Sequence, residues 1–275
     1  MTVSPSLPNQ QAVDDSDIIW QHLREVPAFR AIQRCMEGRL FREWGPWPRP
    51  QLDIGVGDGH FTQVVFGHAE AGIDLKEDLL RIARRRGVYA ELRQANAAAL
   101  PFADAQFATI VCNSSLEHIS DLAQVLRECF RVLRPGGHLA ITVPTERINQ
   151  GIIGRTMLRR IGLQRLADHY TDWFVRKQIH YHLYSPEEWQ HRVEIAGFHV
   201  IRQTPYFSVR AAAWFYFGHF YGIPNLIWHR LTERWVICPW RPLFFLEKKL
   251  IGALLKQEQP GEGTCCFMVA IKPPR

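Results

Sequence analysis

Apolar residues along the chain recur with two spacings, and the two spacings alternate. Short apolar runs predict buried strands, and runs with apolar positions three or four apart predict amphipathic helices. The predicted strands span 51–55, 69–74, 89–92, 107–113, 138–143, 198–204 and 264–272, and the intervening helices 60–66, 76–86, 120–133 and 185–197. This alternation predicts an α/β fold with a doubly wound, mostly parallel seven-stranded sheet covered by helices on both faces.

Three regions follow from this pattern. Residues 1–15 are polar and predict a disordered tail, and 16–48 predict an N-terminal helical segment broken at Pro27. Residues 49–275 predict one large domain with inserts at 145–184 and 208–262, the second of which is an aromatic-rich cap. At Ser185 the chain has a strong helix start, with Pro186 next and Glu188 three residues on.

Composition narrows the function classes only modestly. The 33 Lys and Arg residues outnumber the 27 Asp and Glu residues, but no basic stripe indicates a nucleic-acid partner. The six cysteines include no CxxC pair, which argues against a zinc site or a disulfide framework and favours a reducing compartment. The acidic N-terminus lacks the plan of a signal peptide, so we expect a cytoplasmic protein.

A glycine-rich loop is the clearest chemical signal. Asp53 ends the first strand, and Gly55, Gly57 and Gly59 follow on alternate residues before a helix. Glycine permits positive φ and lets a ligand lie against the backbone, and Asp74, at the end of the second strand, suits ribose hydroxyls. A nicotinamide fingerprint requires glycine where His60 stands, which disfavours an oxidoreductase but leaves it as an alternative.

Residues 51–143 resemble the class I S-adenosylmethionine (SAM)-dependent methyltransferases, in particular the group typified by ubiquinone and menaquinone biosynthesis methyltransferases. Besides the loop and Asp74, the matching motifs are Asn96-Ala97, Leu100-Pro101-Phe102, Leu116-Glu117-His118, Leu133-Arg134-Pro135-Gly136-Gly137 and a stretch at 184–198. The resemblance implies the class I methyltransferase fold and SAM as cofactor. It implies that the cofactor is bound by Asp53, Gly55, Gly57, Gly59, Asp74, Leu75, Asn96, Ala97 and Asn113.

This sequence departs from the family in two ways. Asn96, which by the resemblance contacts the adenine amino group, replaces the commoner Asp. The inserts at 145–184 and 208–262 are not general family features, so the family says little about the acceptor. An inactive SAM-fold binding protein is a further alternative, which the intact Asp53, loop glycines and Asp74 disfavour.

Methyl transfer to a neutral hydroxyl requires a base. His118, after the fourth strand, and His182, in a histidine- and tyrosine-rich stretch with His180, are the predicted catalytic residues; helix capping and packing are the alternative roles. A metal-dependent variant resembles E-x-x-E-H, but Ser114 replaces its first acid here, so we predict no metal.

The cap insert contains a run, 211–229, without Asp, Glu, Lys or Arg. The length of this run permits three interpretations: a packed cap, a contact with a membrane surface, or a membrane span. Gly218, Gly222 and Pro224 disfavour the span. Lys248 and Lys249 beside leucines indicate an interfacial helix. We therefore predict a small hydrophobic acceptor (quinone-, polyketide- or lipid-like) and a peripheral membrane contact through 211–255.

Overall fold

A computed structural model describes residues 15–178, 180–257 and 263–274 of the chain. The predicted disordered tail lies almost wholly outside the described residues and stays a prediction. The described chain begins with two helices, α1 (Asp15–Leu23) and α2 (Ala28–Trp44). Pro27 stands directly before α2, as the sequence predicts, because proline lacks the N–H that a helix interior requires.

Seven strands form one sheet. They are β1 (Gln51–Ile54), β2 (Ala69–Asp74), β3 (Tyr89–Gln94), β4 (Phe107–Asn113), β5 (Leu133–Pro144), β6 (His199–Tyr206) and β7 (Cys265–Ile271), in the spatial order β3-β2-β1-β4-β5-β7-β6. The first five strands pair in parallel, and β7 runs antiparallel to both β5 and β6. The prediction of a mostly parallel seven-stranded sheet is confirmed.

The fifth strand begins earlier than the pattern predicts. Pro135, Gly136 and Gly137 fall between the helix predicted at 120–133 and the strand predicted at 138–143, but they lie inside β5, which starts at Leu133. The Gly136 N–H donates to the Lys272 carbonyl at 2.8 Å, and the Lys272 N–H donates to the Gly137 carbonyl at 3.0 Å. Because the pairing partner comes from the far end of the chain, local sequence could not reveal this extension.

Helices cover both faces of the sheet. The remaining ones are α3 (His60–Val65), α4 (Glu77–Arg86), α5 (Leu122–Val132), α6 (Ile153–Arg160), α7 (Gln164–Gln178), α8 (Pro186–Ile195), α9 (Val209–Tyr221), α10 (Ile223–Thr232) and α11 (Phe245–Gln257). α5 and α8 pack on one face, and α1, α2, α9 and α11 pack on the other. Alternate side chains of β7 divide between the two layers, Met268 to the first and Phe267 to the second, as strand geometry requires.

The start of α8 has the expected cap. The Ser185 hydroxyl oxygen accepts the Glu188 backbone N–H at 3.2 Å, and Pro186 occupies the first turn. This hydrogen bond satisfies one of the donors that a helix leaves without an internal partner.

The uncharged run at 211–229 is divided between two helices. α9 ends at Tyr221, and α10 begins at Ile223 after Gly222. Ala211, Ala212 and Tyr216 are buried in the layer that contains α2, so this face of α9 belongs to a packed cap. Across the described residues, no helix combines the length and the apolar character that crossing a bilayer requires.

Phe41 joins the N-terminal helices to the sheet layer. Its fully buried ring lies 5.1 Å from the Phe267 ring, 5.5 Å from that of Phe66 and 5.6 Å from that of Phe61.

We expect Phe41→Ala to lower the free energy of unfolding by about 3–5 kcal/mol, because it removes a large buried ring and leaves a cavity. Urea denaturation measures the change. Phe245→Ala, at an exposed position, is the matched control and should alter stability by about 0.5 kcal/mol or less; equal losses from both variants would contradict the packing argument.

Candidate active site

The glycine loop follows β1 at the carboxyl edge of the sheet. Gly55, Gly57 and Gly59 all have positive φ, at +80°, +58° and +76°. A Cβ on Gly55 would lie 2.2 Å from the Ser115 hydroxyl oxygen, whereas a Cβ on Gly57 would meet no atom within 4 Å. The loop is thus closely packed on one side and faces open space on the other, which is the geometry that a ligand lying against the backbone requires.

Two carboxylates hold this loop in place. Asp74, at the end of β2, accepts the Gly57 N–H and the Lys76 N–H, each at 2.9 Å. Asp53 is buried, and its Oδ2 accepts hydrogen bonds from the Thr62 hydroxyl at 2.5 Å and the Tyr89 hydroxyl at 2.6 Å. Burial raises the pKa of Asp53, and these two hydrogen bonds oppose that rise. Both carboxylates therefore organise the loop, and their direct contact with a cofactor stays a prediction.

The ends of β2 and β3 lie side by side and bring the other predicted residues together. Asp74 is in register with Gln94, whose side-chain amide donates to the Leu75 carbonyl at 2.9 Å. Leu75 is exposed beside Asp74, and Asn96 is exposed with its side-chain oxygen accepting the Ala98 N–H at 2.9 Å. An apolar side chain and an amide thus lie on either side of Asp74, which is the arrangement that the predicted adenosine site calls for.

A cavity of about 1140 Å³ opens beside the loop. Of the predicted cofactor-binding residues, its lining includes Asp53, Gly55, Gly57 and Asn113. Gly59, Asp74, Leu75, Asn96 and Ala97 do not line it. The predicted set is therefore divided: four of its residues line the cavity, and Asp74, Leu75 and Asn96 lie at or just after the ends of β2 and β3.

A buried carboxylate on α2 closes the end of β4, and sequence reasoning missed it. Glu37 is fully buried and accepts hydrogen bonds from the Asn113 amide at 3.0 Å, the Ser114 hydroxyl at 2.7 Å and the Tyr206 hydroxyl at 3.2 Å. It also pairs with Arg34 at 2.6 Å, and the Arg34 guanidinium lines the cavity. The available signal was an Arg–Glu pair three residues apart on α2.

Glu117, His118 and His180 form a second polar group in the cavity wall. Burial raises the pKa of Glu117 to about 8, and its Oε2 has no hydrogen-bond partner. The His118 and His180 rings lie 5.0 Å apart, and burial together with His118 lowers the pKa of His180 to about 4. The ligand atoms of the three residues lie within 4.8 Å of one another, so they are the described residues best placed to hold a metal ion; the absence of a metal stays a prediction.

His182, in contrast, is engaged outside the cavity. Its Nδ1 lies 2.8 Å from the Tyr184 hydroxyl and its Nε2 lies 2.9 Å from the Ile119 carbonyl, and its ring packs near Trp189. Both ring nitrogens have protein partners, which favours the packing role that the sequence left open. The candidate catalytic role that we assigned to His182 therefore fits His180 better, because His180 lines the cavity.

A chain of polar contacts ties α1 to the loop. His22 Nδ1 lies 3.0 Å from His60 Nε2, His60 Nδ1 lies 3.2 Å from Glu25, and Arg86 pairs with Glu25 at 2.6 Å. Burial, and then His60, lowers the pKa of His22 well below its usual value. Burial would raise the pKa of Glu25, but hydrogen bonds from His60 and Arg86 lower it to about 2.

This chain of contacts predicts loss of stability in acid. Folded His22 and Glu25 bind protons less readily than in the unfolded chain, so protonation favours unfolding as the pH falls below about 6.5 for His22 and below about 4.5 for Glu25. Glu117 has the opposite effect on stability between about pH 4.5 and 8. Because its pKa is raised in the folded chain, the folded chain binds this proton more readily than the unfolded chain, and stability falls as the pH rises. We expect His22→Asn to reduce the pH dependence of urea unfolding between pH 6.5 and 4.5, while His199→Asn, at an exposed site, should not. An unchanged slope in His22→Asn would contradict the assignment.

Comparisons with known proteins agree with this geometry. Residues 52–141 match the family model described as a methyltransferase domain. The chain is 37% identical over 127 residues to a probable S-adenosylmethionine-dependent methyltransferase of Mycolicibacterium smegmatis, covering 46% of this chain and 45% of the relative. It is 40% identical over 98 residues to a ubiquinone biosynthesis O-methyltransferase of Methylococcus capsulatus, covering 32% of this chain and 40% of the relative. The matches thus span less than half the length of these curated relatives.

Solved structures share the fold. A SAM-dependent methyltransferase of Thermotoga maritima, described as a possible histamine N-methyltransferase, is 19% identical with a TM-score of 0.57 and covers 89% of this chain and 91% of its own. A phosphoethanolamine-type N-methyltransferase of Haemonchus contortus, solved with S-adenosylhomocysteine, is 18% identical with a TM-score of 0.52, covering 86% of this chain and 52% of its own. At these identities the likeness concerns the fold alone.

The sheet order, the glycine loop at the end of β1 and the acidic residue at the end of β2 define a Rossmann-like nucleotide-type fold. Residues 52–141 match the methyltransferase domain model, and the fold is the one shared by solved SAM-dependent methyltransferases. The residues present fit SAM, because a Cβ on Gly57 would point into open space and the Asp74 carboxylate lies beside the loop, where the resemblance predicts a ribose contact.

Asp74 provides the sharpest test of cofactor binding. We expect Asp74→Ala to weaken SAM binding about 10- to 100-fold, because hydrogen bonds to a charged group contribute about 1.5–3 kcal/mol and the Gly57 contact is also lost. Isothermal titration calorimetry measures the dissociation constant. Asp78→Ala removes an exposed carboxylate four residues away and should bind SAM like the wild type; an Asp74→Ala affinity equal to that of the control would remove Asp74 from the site.

Proposed function

We propose that this chain transfers a methyl group from SAM to an oxygen or carbon atom of a small hydrophobic acceptor in a biosynthetic reaction. One observation carries the proposal: the glycine loop and the group formed by Glu117, His118 and His180 line the same cavity. A cofactor seated against Gly55 and Gly57 would therefore share this cavity with ionisable groups that can serve an acceptor.

One part of the cavity wall supports a hydrophobic acceptor. Apolar side chains reach it from the insert after β5 and from the cap, among them Ile148, Phe215, Val236 and Ile237. These side chains favour an apolar portion of the ligand. Charged side chains, among them Arg30, Arg34 and Arg86, line another part of the cavity. Several relatives are named as O-methyltransferases, of ubiquinone biosynthesis or of malonyl-[acyl-carrier protein], which supports transfer to oxygen.

SAM supplies an electrophilic methyl group with its own leaving group, so the protein's main contribution is alignment. Holding both reactants in one cavity provides effective molarities of order 10⁵–10⁸ M. For a hydroxyl acceptor, the His118 imidazole accepts the proton as the oxygen is methylated. Glu117 is protonated below about pH 8, so at neutral pH it adds no negative charge beside His118 and can donate a hydrogen bond. His180 stays neutral because its pKa is about 4.

His118 is therefore the residue to change. We expect His118→Ala to lower kcat about 10²- to 10⁴-fold if the acceptor is a hydroxyl, with SAM affinity unchanged, because only proton transfer is lost. His182→Ala is the matched control and should keep most of the kcat, since His182 does not line the cavity. The readout is transfer of label from methyl-labelled SAM to an apolar metabolite extract. Equal kcat in both variants would show that the reaction uses no base at His118.

The same assay separates the alternatives. SAM binding without labelled product in any apolar extract would favour an inactive binding protein of this fold. Binding of a nicotinamide cofactor in preference to SAM, measured by calorimetry, would contradict the proposal and favour an oxidoreductase. Labelled product recovered only in a polar or nucleic-acid fraction would retain methyl transfer but exclude the hydrophobic acceptor.

A further inference from the structure

Residues 230–249, which we call the cap tip, connect α10 to the first turn of α11 and expose many large apolar side chains. Six of them are 57–77% exposed: Leu231, Ile237, Trp240, Leu243, Phe245 and Leu246. Scattered single apolar residues on a surface need no explanation, but six within sixteen consecutive positions indicate a contact site.

The cap tip is also positively charged. Five cationic residues, Arg230, Arg234, Arg241, Lys248 and Lys249, are all exposed, against two acidic residues, Glu233 and Glu247. Glu233 lies 3.4 Å from Arg81 and 3.3 Å from Arg85, so the basic end of α4 extends the same positive surface. Large apolar side chains among exposed cations are the pattern of an element that lies in the interface of an anionic bilayer.

The cap tip lies at the mouth of the cavity. Ile237 and Pro239 line the cavity and are exposed at the same time. Trp235, beside them, receives the Arg30 guanidinium at 4.4 Å from its ring centre, which ties the cap tip to α2. If Leu243 and Phe245 contact a bilayer surface, an apolar compound that leaves that surface would therefore meet the entrance of the cavity directly.

We propose that the cap tip docks on the surface of an anionic lipid bilayer. Leu243, Phe245 and Leu246 enter the boundary between headgroups and acyl chains, and the neighbouring arginines and lysines contact lipid phosphates. This narrows the predicted contact at 211–255, because Ala211, Ala212 and Tyr216 are buried and belong to the packed cap. Docking does not depend on catalysis; only the delivery of an acceptor from the bilayer rests on the proposed function.

The test is flotation of the full-length protein with vesicles of phosphatidylcholine alone or with 30% phosphatidylglycerol. We expect binding to the anionic vesicles, and weaker binding as salt is raised. Lys248→Gln/Lys249→Gln should lower the partition coefficient about 25-fold, since each cation near the surface contributes about a fivefold factor. Phe245→Ser/Leu246→Ser should lower it at least about tenfold through lost apolar burial. Ile195→Ser, an exposed apolar site on α8, is the control and should bind like the wild type.

Three outcomes would overturn the proposal. They are no flotation of the wild type, equal binding by all variants, and a dimer in size-exclusion chromatography that Phe245→Ser/Leu246→Ser dissociates without any vesicle binding. The last would identify a second copy of the chain as the occupant. SAM titration of each variant separates the two proposals: intact SAM affinity with lost flotation concerns the cap tip alone, and intact flotation without SAM binding would contradict only the methyltransferase function.

Discussion

Parallel pairing of β1 with β2 and β4 is the constraint on which the site depends. Because parallel strands all end at the same edge, the glycine loop, Asp74 and the segment after Asn113 converge there although they lie far apart in sequence. The hydrogen bond from the Gly57 N–H to Asp74 joins two of these strand ends directly. A sheet with helices on both faces leaves its carboxyl edge as the place where backbone groups remain open to a ligand.

The N-terminal helices complete this edge. Glu37 of α2 reaches the end of β4, where it bonds the Asn113 amide, and His22 of α1 contacts His60 beside the glycine loop. A buried carboxylate is tolerated only when hydrogen bonds and a counter-charge compensate for lost hydration, and Arg34 provides that charge. The helical segment is therefore part of the cavity wall, in addition to covering one face of the sheet.

The cap has two different surfaces, and the difference divides its roles. α9 packs Ala211, Ala212 and Tyr216 into the layer of α2, whereas residues 230–249 expose apolar and cationic side chains together. The first surface stabilises the fold through apolar burial. The second exposes most of its large apolar side chains, and it is the surface that we propose contacts an anionic bilayer. Ile237 belongs to both the exposed surface and the cavity lining, which links the entrance of the site to that contact.

Local pattern alone predicted the existence of the seven strands, the glycine loop and Asp74, although not where β5 begins, because backbone conformation and alternating burial act over a few residues. Tertiary structure alone decided which distant groups meet. Antiparallel β7 extends β5 through Lys272 and Gly137, and Glu37 reaches Asn113 across 76 positions. The choice between His180 and His182 was equally beyond the sequence, because it depends on which of the two faces the cavity and which bonds the Ile119 carbonyl. Contacts between remote segments follow from packing, and packing is a property of the whole fold.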